Sequence, residues 1–301
     1  MKILLFGKNG QVGWELQRAL AALGDVRALD RSDADLGQPE RLRACVAAHR
    51  PDVIVNAAAY TAVDRAEADA GVAHAINALA PGVLAEAASA CGAWLVHYSS
   101  DYVFDGSRQT AYREDDAPGP LSAYGRSKLA GEEGIRASGA RHLILRTSWV
   151  FGPRGANFPK TILRLARERS RLEVVADQVG APTSAELLAD LTALALQRIA
   201  LGGAAAAALS GTYHVAAAGQ TSWHAYARHV VGQALEQGAR LRASPEDIVP
   251  VAAAAWGAAA PRPANSLLDT GKFRAAFGLA LPDWRHHVNR LVAELADAGN
   301  L

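Results

Sequence analysis

Residues 3–13 read Ile3-Leu4-Leu5-Phe6-Gly7-Lys8-Asn9-Gly10-Gln11-Val12-Gly13. Four consecutive apolar residues stopped by glycine form the pattern of a strand buried on both faces. From Val12 the apolar positions change to helical spacing: Val12, Leu16, Ala19, Leu20 and Leu23. The three glycines therefore occupy the turn between a first strand and a first helix. There Gly7 lets the chain turn, Gly10 lets backbone approach a diphosphate, and Gly13 lets helix and strand pack closely. The helix start aims free N–H groups and the positive end of its dipole at that anion. Chance alone gives GxxGxxG roughly 0.2 times in such a chain, so the pattern draws its value from its place after the first strand.

Outward from this turn the alternation continues. Strand patterns fall at 26–29, 53–55, 93–98 and 142–146, and helix patterns at 39–49, 71–91 and 122–138. Pro39 suits a first helical turn, and Ser122 can cap the last of these helices. Strands alternating with helices imply right-handed βαβ units and a parallel sheet covered on both faces. The expected fold class is α/β: a doubly wound parallel sheet of Rossmann type with a smaller mixed α/β C-terminal unit. A closed (β/α)8 barrel is the competitor, and the glycine-rich turn favours the open sheet. After about residue 150 the rhythm loosens. Helices are expected at 157–169, 184–200 and 282–295, strands at 172–176 and 212–215, and a mobile Gly/Ala-rich loop at 202–210; residues 249–265 show no clear period. Residues 1–150 thus form a dinucleotide-binding domain, to which 184–216 return, and 151–301 form mainly a second unit.

Composition excludes several classes. The chain has 301 residues, half of them hydrophobic, and a formal net charge of +1. It is too apolar for global disorder and too evenly charged for a general grip on nucleic acid or anionic lipid. No apolar run reaches the roughly 20 residues of a membrane span, and the N-terminal run is too short for a signal peptide. Cys45 and Cys91 have no metal-ligand spacing and read as small buried residues of a reducing cytoplasm. The nine histidines form no ligand set; His224, His229, His286 and His287 read as helix-surface residues. No HExxH or Cys/His cluster exists, so no metal site is expected. Only five basic residues are lysine, a weak hint that arginine would not serve where lysine remains.

Three further segments carry chemistry. Asp30 ends the second strand, where a carboxylate would bind the adenosine ribose, but it could equally cap a turn. The adjacent Arg31 would favour a 2′-phosphate, which leaves NADH and NADPH both open. Asp35 and Leu36 could flank the adenine, and Ala59-Tyr60-Thr61 follow the third strand where a cofactor could cross it. Ser99-Ser100-Asp101-Tyr102 lie at the end of the fourth strand, at the ligand-binding edge of an open sheet, where a hydroxyl can hold a carbonyl. Tyr124-Gly125-Arg126-Ser127-Lys128 is a YxxxK, expected by chance about 0.1 times. On a helix its ends share a face, and a lysine charge at ~5 Å would move the phenol from about 10 toward 8, suiting it to protonate a carbonyl as hydride arrives.

Glycine turn, strand-end serine and YxxxK occur in order on the expected elements. With Val53-Ile54-Val55-Asn56-Ala57-Ala58-Ala59-Tyr60-Thr61, Arg146-Thr147-Ser148-Trp149-Val150, Asp177-Gln178-Val179-Gly180-Ala181-Pro182-Thr183 and Arg262-Pro263-Ala264-Asn265-Ser266, they make the chain resemble the extended short-chain dehydrogenase/reductases over nearly its whole length. Within that group it resembles the dTDP-4-dehydrorhamnose reductase family. The resemblance implies NADPH or NADH as cofactor and a dTDP-sugar substrate whose C4 ketone is reduced. It implies Tyr124 as proton donor, Lys128 as its partner holding the nicotinamide ribose, and Ser100, where the family often has Thr, as the third catalytic group. Gln11 and Val12 would meet the diphosphate and Tyr98 the cofactor. Ser100 and Asp101 would touch the sugar, Trp149 would pack on it, and 151–301 would be mainly a nucleotide-sugar-binding domain. A homodimer with Mg2+ at its contact occurs among relatives. Two alternatives stand beside this reading. One is a non-catalytic binding subunit, like the regulatory subunit of methionine adenosyltransferase. The other is an epimerase or epimerase-reductase, which would need an additional acid/base pair.

Overall fold

The computed structural model describes residues 1–299 and sets the opening apolar run inside a six-stranded parallel sheet. β1 (Lys2–Phe6) lies between β2 (Asp25–Leu29) and β3 (Val53–Asn56). β4 (Trp94–Ser100), β5 (His142–Thr147) and β6 (Gly211–His214) extend the sheet beyond β3. The order 2-1-3-4-5-6 reverses between β1 and β3, so a crevice opens above the C-terminal ends of those two strands.

Strand periodicity divides the apolar residues between two layers of helices. Ile3, Leu5, Val55, Val96 and Leu145 face α1 (Gln11–Ala21) and α5 (Ala185–Leu201), meeting Leu16, Leu20, Leu188 and Leu191. Leu4, Phe6, Ile54, Leu95 and Ile144 face α2 (Pro39–His49), α3 (Ala80–Cys91) and α4 (Ala123–Ala137), meeting Leu42, Val46, Leu84 and Ile135. Each such side chain contributes roughly 1.5–3 kcal/mol on full burial. The returning segment 184–216 supplies α5 to one face and β6 to the sheet edge.

The remaining part is built on helices Phe158–Glu168, Trp223–Glu236 and Trp284–Asp297. Leu172–Val175 pairs in parallel with Ile248–Val251, and Val150–Phe151 with Thr183–Ser184; Val179–Gly180 pairs antiparallel with Thr221–Ser222. Phe151, Tyr226 and Trp284 join the same apolar cluster as the α1/α5 face of the sheet. Among the described residues no helix is long and apolar enough to cross a membrane.

Several expectations are corrected. Residues 202–210 are not a loop: Gly203–Leu209 forms a 3-10 helix pinned by buried Ala206. The helix expected at 71–91 is interrupted by a π turn at Ala75–Leu79. Pro81 has no N–H for the Asn77 carbonyl and its ring crowds it, so the ladder widens there. Within 249–265 the structure has the strand Ile248–Val251 and the short helix Ala253–Trp256. Helices Trp223–Glu236 and Gly271–Phe277 were not anticipated. The last two residues of the expected second domain, 300 and 301, lie outside the described residues.

Candidate active site

A cavity of about 960 Å³ occupies the crevice between β1 and β3 and runs across the ends of β4 and β5. That is the upper end of the size usual for small-molecule sites and leaves room for two ligands side by side. Its first wall is the glycine turn. Gly7 has φ +90°, and a Cβ there would lie 2.7 Å from Ala58 N, so only glycine fits between the turn and the loop after β3. A Cβ on Gly13 would overlap the Gly7 carbonyl oxygen. α1 starts at Gly10 with no side-chain cap, which leaves its first N–H groups for an anion. Gly7, Gly10, Gln11 and Val12 line the cavity; Gly13 does not, and its service to the site is the close packing of α1 on the turn. The residues present fit a dinucleotide diphosphate.

The opposite wall is the start of α4. Ser122 caps this helix, accepting from Gly125 N–H at 3.1 Å. Gly125 has no room for a side chain against the Tyr102 carbonyl, so the first turn of α4 seats on the Asp101–Val103 turn that follows β4. This contact sets the Tyr102 and Tyr124 rings edge to face at 5.5 Å. It also brings the Ser100 hydroxyl to the Tyr124 phenol. Ser100 Oγ donates to Asp101 Oδ1 at 2.9 Å and the Ser266 hydroxyl also acts on this carboxyl, while Asp101 Oδ2 is buried without a well-formed hydrogen bond of its own. Burial pushes the Asp101 carboxyl up to about 6.

Lys128 is 2% exposed and lies on the same cavity wall. Its Nζ donates to the Tyr98 carbonyl at 2.6 Å and lies 3.3 Å from His97 Nε2. Burial pushes the lysine down to about 8, opposed by Glu132 one helical turn away. The phenol does not move as the spacing alone suggested. Tyr124 is pushed up to about 12 by burial, with Ser100 acting in the opposite direction. Spacing of four put the lysine on the correct face. Its ammonium, however, is turned toward β4, and loss of hydration by the phenol sets the direction of its shift.

The chain matches the model of the RmlD substrate binding domain family over residues 1–297. It is 50% identical over 297 residues to a dTDP-4-dehydrorhamnose reductase of Burkholderia thailandensis, covering 98% of this chain and 99% of the relative. It is also 50% identical over 299 residues to the Escherichia coli K12 enzyme of that name, covering 98% of each. It belongs to the dTDP-4-dehydrorhamnose reductase family. A solved dTDP-4-dehydrorhamnose reductase of Bacillus anthracis in complex with NADP superposes with a TM-score of 0.86 at 35% identity, covering 98% of this chain and 100% of that one.

For a reductase of this family the other expected site residues fall as follows. Ala59, Tyr60 and Thr61 line the cavity above β3, and Tyr60 is anchored by Asn77, whose Oδ1 accepts the Tyr60 N–H at 2.9 Å. Asp35, Leu36, Asp30 and Arg31 line its far end. Asp30 also caps the turn after β2, accepting from Ser32 N–H at 2.9 Å and Ser32 Oγ at 2.6 Å, and it pairs with Lys8 at 3.2 Å. These contacts, Ser32 first, hold its carboxyl well below the usual range. Arg31 reaches Asp35 at 3.2 Å. Tyr98 lines the cavity, but its hydroxyl lies 2.6 Å from Thr192 Oγ1 on α5. Trp149 lines it too, with φ +49°, stacked on Trp223 at 3.5 Å. Among the described residues no group of His, Cys, Asp and Glu could hold a metal ion. His224 and His229 are half-buried rather than on the helix surface: His224 Nε2 lies 2.9 Å from the Ile248 carbonyl and His229 Nε2 2.6 Å from Asn289 Oδ1.

Sequence reasoning missed the polar layer behind the site. His97 and Ser99 alternate on the α4-facing side of β4 and meet Lys128 and Glu132, one turn apart on α4. Two strand residues advance about 6.8 Å and four helix residues about 6 Å, so the two pairs match in pitch. Buried Glu132 also takes Arg146 of β5 at 2.7 Å. The missed signal was His97 and Ser99 at period two, following Leu95 on the face of β4 that turns to α4.

Proposed function

We propose that this chain reduces the C4 ketone of dTDP-4-dehydro-L-rhamnose to dTDP-L-rhamnose using NAD(P)H, with Tyr124 as the proton donor. The observation that carries the proposal is the convergence of Tyr124, Ser100 and Lys128 on one cavity whose other wall is a glycine cradle at a helix start. Gln11, Val12 and the turn at Gly7 and Gly10 would hold the diphosphate, and Asp30, Arg31, Asp35 and Leu36 the adenosine end, while Ala59, Tyr60, Thr61 and Tyr98 would border the path between. NAD(P)H, when bound, supplies the hydride.

The chain supplies everything else. Ser100 holds the ketone oxygen beside the Tyr124 phenol. A phenol pushed up to about 12 keeps its proton at neutral pH. It gives that proton up only to an oxygen that is itself becoming an alkoxide, as general-acid catalysis requires. Lys128 contributes a positive charge to the same wall and the hydrogen bonds that would hold a nicotinamide ribose. Asp101, with one oxygen lacking a well-formed hydrogen bond, accepts from a sugar hydroxyl, and Trp149 offers ring surface to the sugar. Residues 1–150 with 184–216 form the dinucleotide-binding unit, and 151–301 mainly the nucleotide-sugar-binding unit. A cytoplasmic homodimer belongs to the same reading; sedimentation tests the dimer. Mg2+ has no acidic cluster among the described residues and is given no role.

The test follows NAD(P)H oxidation with dTDP-4-dehydro-L-rhamnose. Tyr124→Phe is expected to lower kcat by at least roughly 10²-fold while sugar binding persists. A Tyr124→Phe rate equal to wild type would refute the mechanism. Absence of wild-type turnover would refute the activity and leave a binding subunit.

A further inference from the structure

His97 lies in the middle of β4, 1% exposed, with its ring turned toward α4. Its Nδ1 is 3.1 Å from Asn56 Nδ2 on β3, and its Nε2 is 3.3 Å from Lys128 Nζ. The Asn56 amide is held the right way round, because its Oδ1 accepts the Ala58 N–H at 3.2 Å. Asn56 Nδ2 is therefore the donor and His97 Nδ1 the acceptor. A neutral imidazole that accepts at Nδ1 carries its proton on Nε2. Burial, aided by the Lys128 charge, holds the ring neutral, well below the usual histidine range. The Nε2–H then points at Lys128. An ammonium has no lone pair to receive it, whereas an amine has one.

We propose that His97, with its tautomer set by Asn56, is a positioning residue that favours the amine form of Lys128 and so governs when that lysine releases its proton. This rests on Tyr124 being the proton donor. As the Tyr124 Oη–H bond breaks, an O–H bond forms at the substrate oxygen and a phenolate remains. Because Nζ is turned toward β4, the proton it loses reaches the phenolate through water and restores the phenol, and the lone pair left on the lysine accepts the His97 Nε2–H. Only protons move, so no oxidant or reductant is needed. The arrangement gives the buried histidine a chemical role that simple core filling does not.

The surrounding charges are few. α4 presents Lys128, Glu132 and Arg136, β5 presents Arg146 and β6 presents His214 beside Arg146; Arg146, Arg136 and Ser99 all bind Glu132. β3 presents the uncharged Asn56, and β4 itself gives Lys128 the Tyr98 carbonyl. Two substitutions reverse the inward proton. Asn56→Asp can accept from both Ala58 N–H and His97 Nδ1–H, leaving Nε2 to accept from the ammonium. His97→Gln can present a carbonyl oxygen to the ammonium directly.

The experiment reads the intact, cofactor-free protein by NMR. In 15N-histidine spectra, assigned with His97→Gln, the His97 proton is expected on Nε2; a wild-type Nδ1–H tautomer would overturn the proposal without any variant. With only five lysines in the chain, 13C-labelled lysine spectra resolve Lys128, assigned with Lys128→Arg. Its midpoint is expected near 8 in the wild type and about one pH unit higher in both Asn56→Asp and His97→Gln. A midpoint unmoved in both variants overturns the proposal. In turnover, the basic limb of kcat for His97→Gln should move up with the midpoint. A uniformly lower kcat with the limb in place would mark a merely structural histidine. A wild-type chain that turns over no substrate would sink the reductase reading, while the tautomer and lysine midpoint would still decide the role of His97.

Discussion

Lys128 shows what a single residue's surroundings do to a motif. YxxxK was legible in the sequence because a helix fixes which side chains share a face. The direction in which each charge acts was not, because it depends on what the ammonium touches across the sheet, and those partners are 30 and 31 positions away. The buried lysine has a consequence for stability that can be measured without substrate. Its folded pKa is about 8 against an ordinary value of 10.5. Between those values the unfolded chain binds more protons than the folded one, so stability rises with pH. The apo protein should gain about 2 kcal/mol between pH 7.5 and 9.5 from this group. Urea unfolding across that window checks it, and Lys128→Met should remove the rise. The catalytic effect runs the other way. If the ammonium must be present for reduction, kcat declines as pH climbs through about 8, which stopped-flow turnover at saturating substrate would show.

At the scale of elements, the site is a set of close approaches. α1 reaches the diphosphate position because Gly13 and Gly7 touch without side chains. Gly13→Ala would push α1 off the turn, since the added carbon meets backbone. We expect dinucleotide affinity to fall at least about tenfold, equivalent to ~1.4 kcal/mol, by fluorescence titration. Gly10→Ala should also weaken binding but by another route: its Cβ would lie 3.4 Å from Gly7 O, so α1 stays seated and the added carbon intrudes on the diphosphate position instead. The glycine spacing and strand-to-helix switch made this element readable from the start. The contact of Gly125 with the Tyr102 carbonyl was not readable, because it joins α4 to the turn after β4 through tertiary packing alone. The same holds for Glu132, an ordinary helix-surface residue by sequence. In the fold it is fully buried, takes Arg146 and Ser99, and is held below the usual carboxylate range by Arg146 against the cost of burial. Glu132→Ala leaves Arg146 buried without its carboxylate and should cost ~3–5 kcal/mol in chemical denaturation, far more than loss of an exposed pair.

For the whole molecule, the chain's order in sequence and its order in space diverge most in the second half. The first five strands follow one another with clear periodicity. The sixth arrives after residue 210, and the helix that completes one face of the sheet arrives with it. Strands of only two residues near 150, 180 and 220 carry too few positions for a period to show. The ties that close the site are also long-range. Arg262 bridges to Asp64 at 2.7 Å, and Asn265 Nδ2 donates to the Arg108 and Thr110 carbonyls at 2.9 Å. One apolar cluster runs from Ile3 through Leu188 to Trp284. We therefore expect the two proposed units to unfold together: calorimetry of the full chain should give one transition with equal calorimetric and van't Hoff enthalpies. A fragment of residues 1–150 lacks α5 and β6, which leaves α1 alone to cover Ile3, Leu5, Val96 and Leu145 on one side of the sheet. It should show no cooperative melt and should bind an apolar dye. A cooperative transition in that fragment, or two resolved transitions in the full chain, would mean that the first unit holds its own core and that the returning segment merely decorates it.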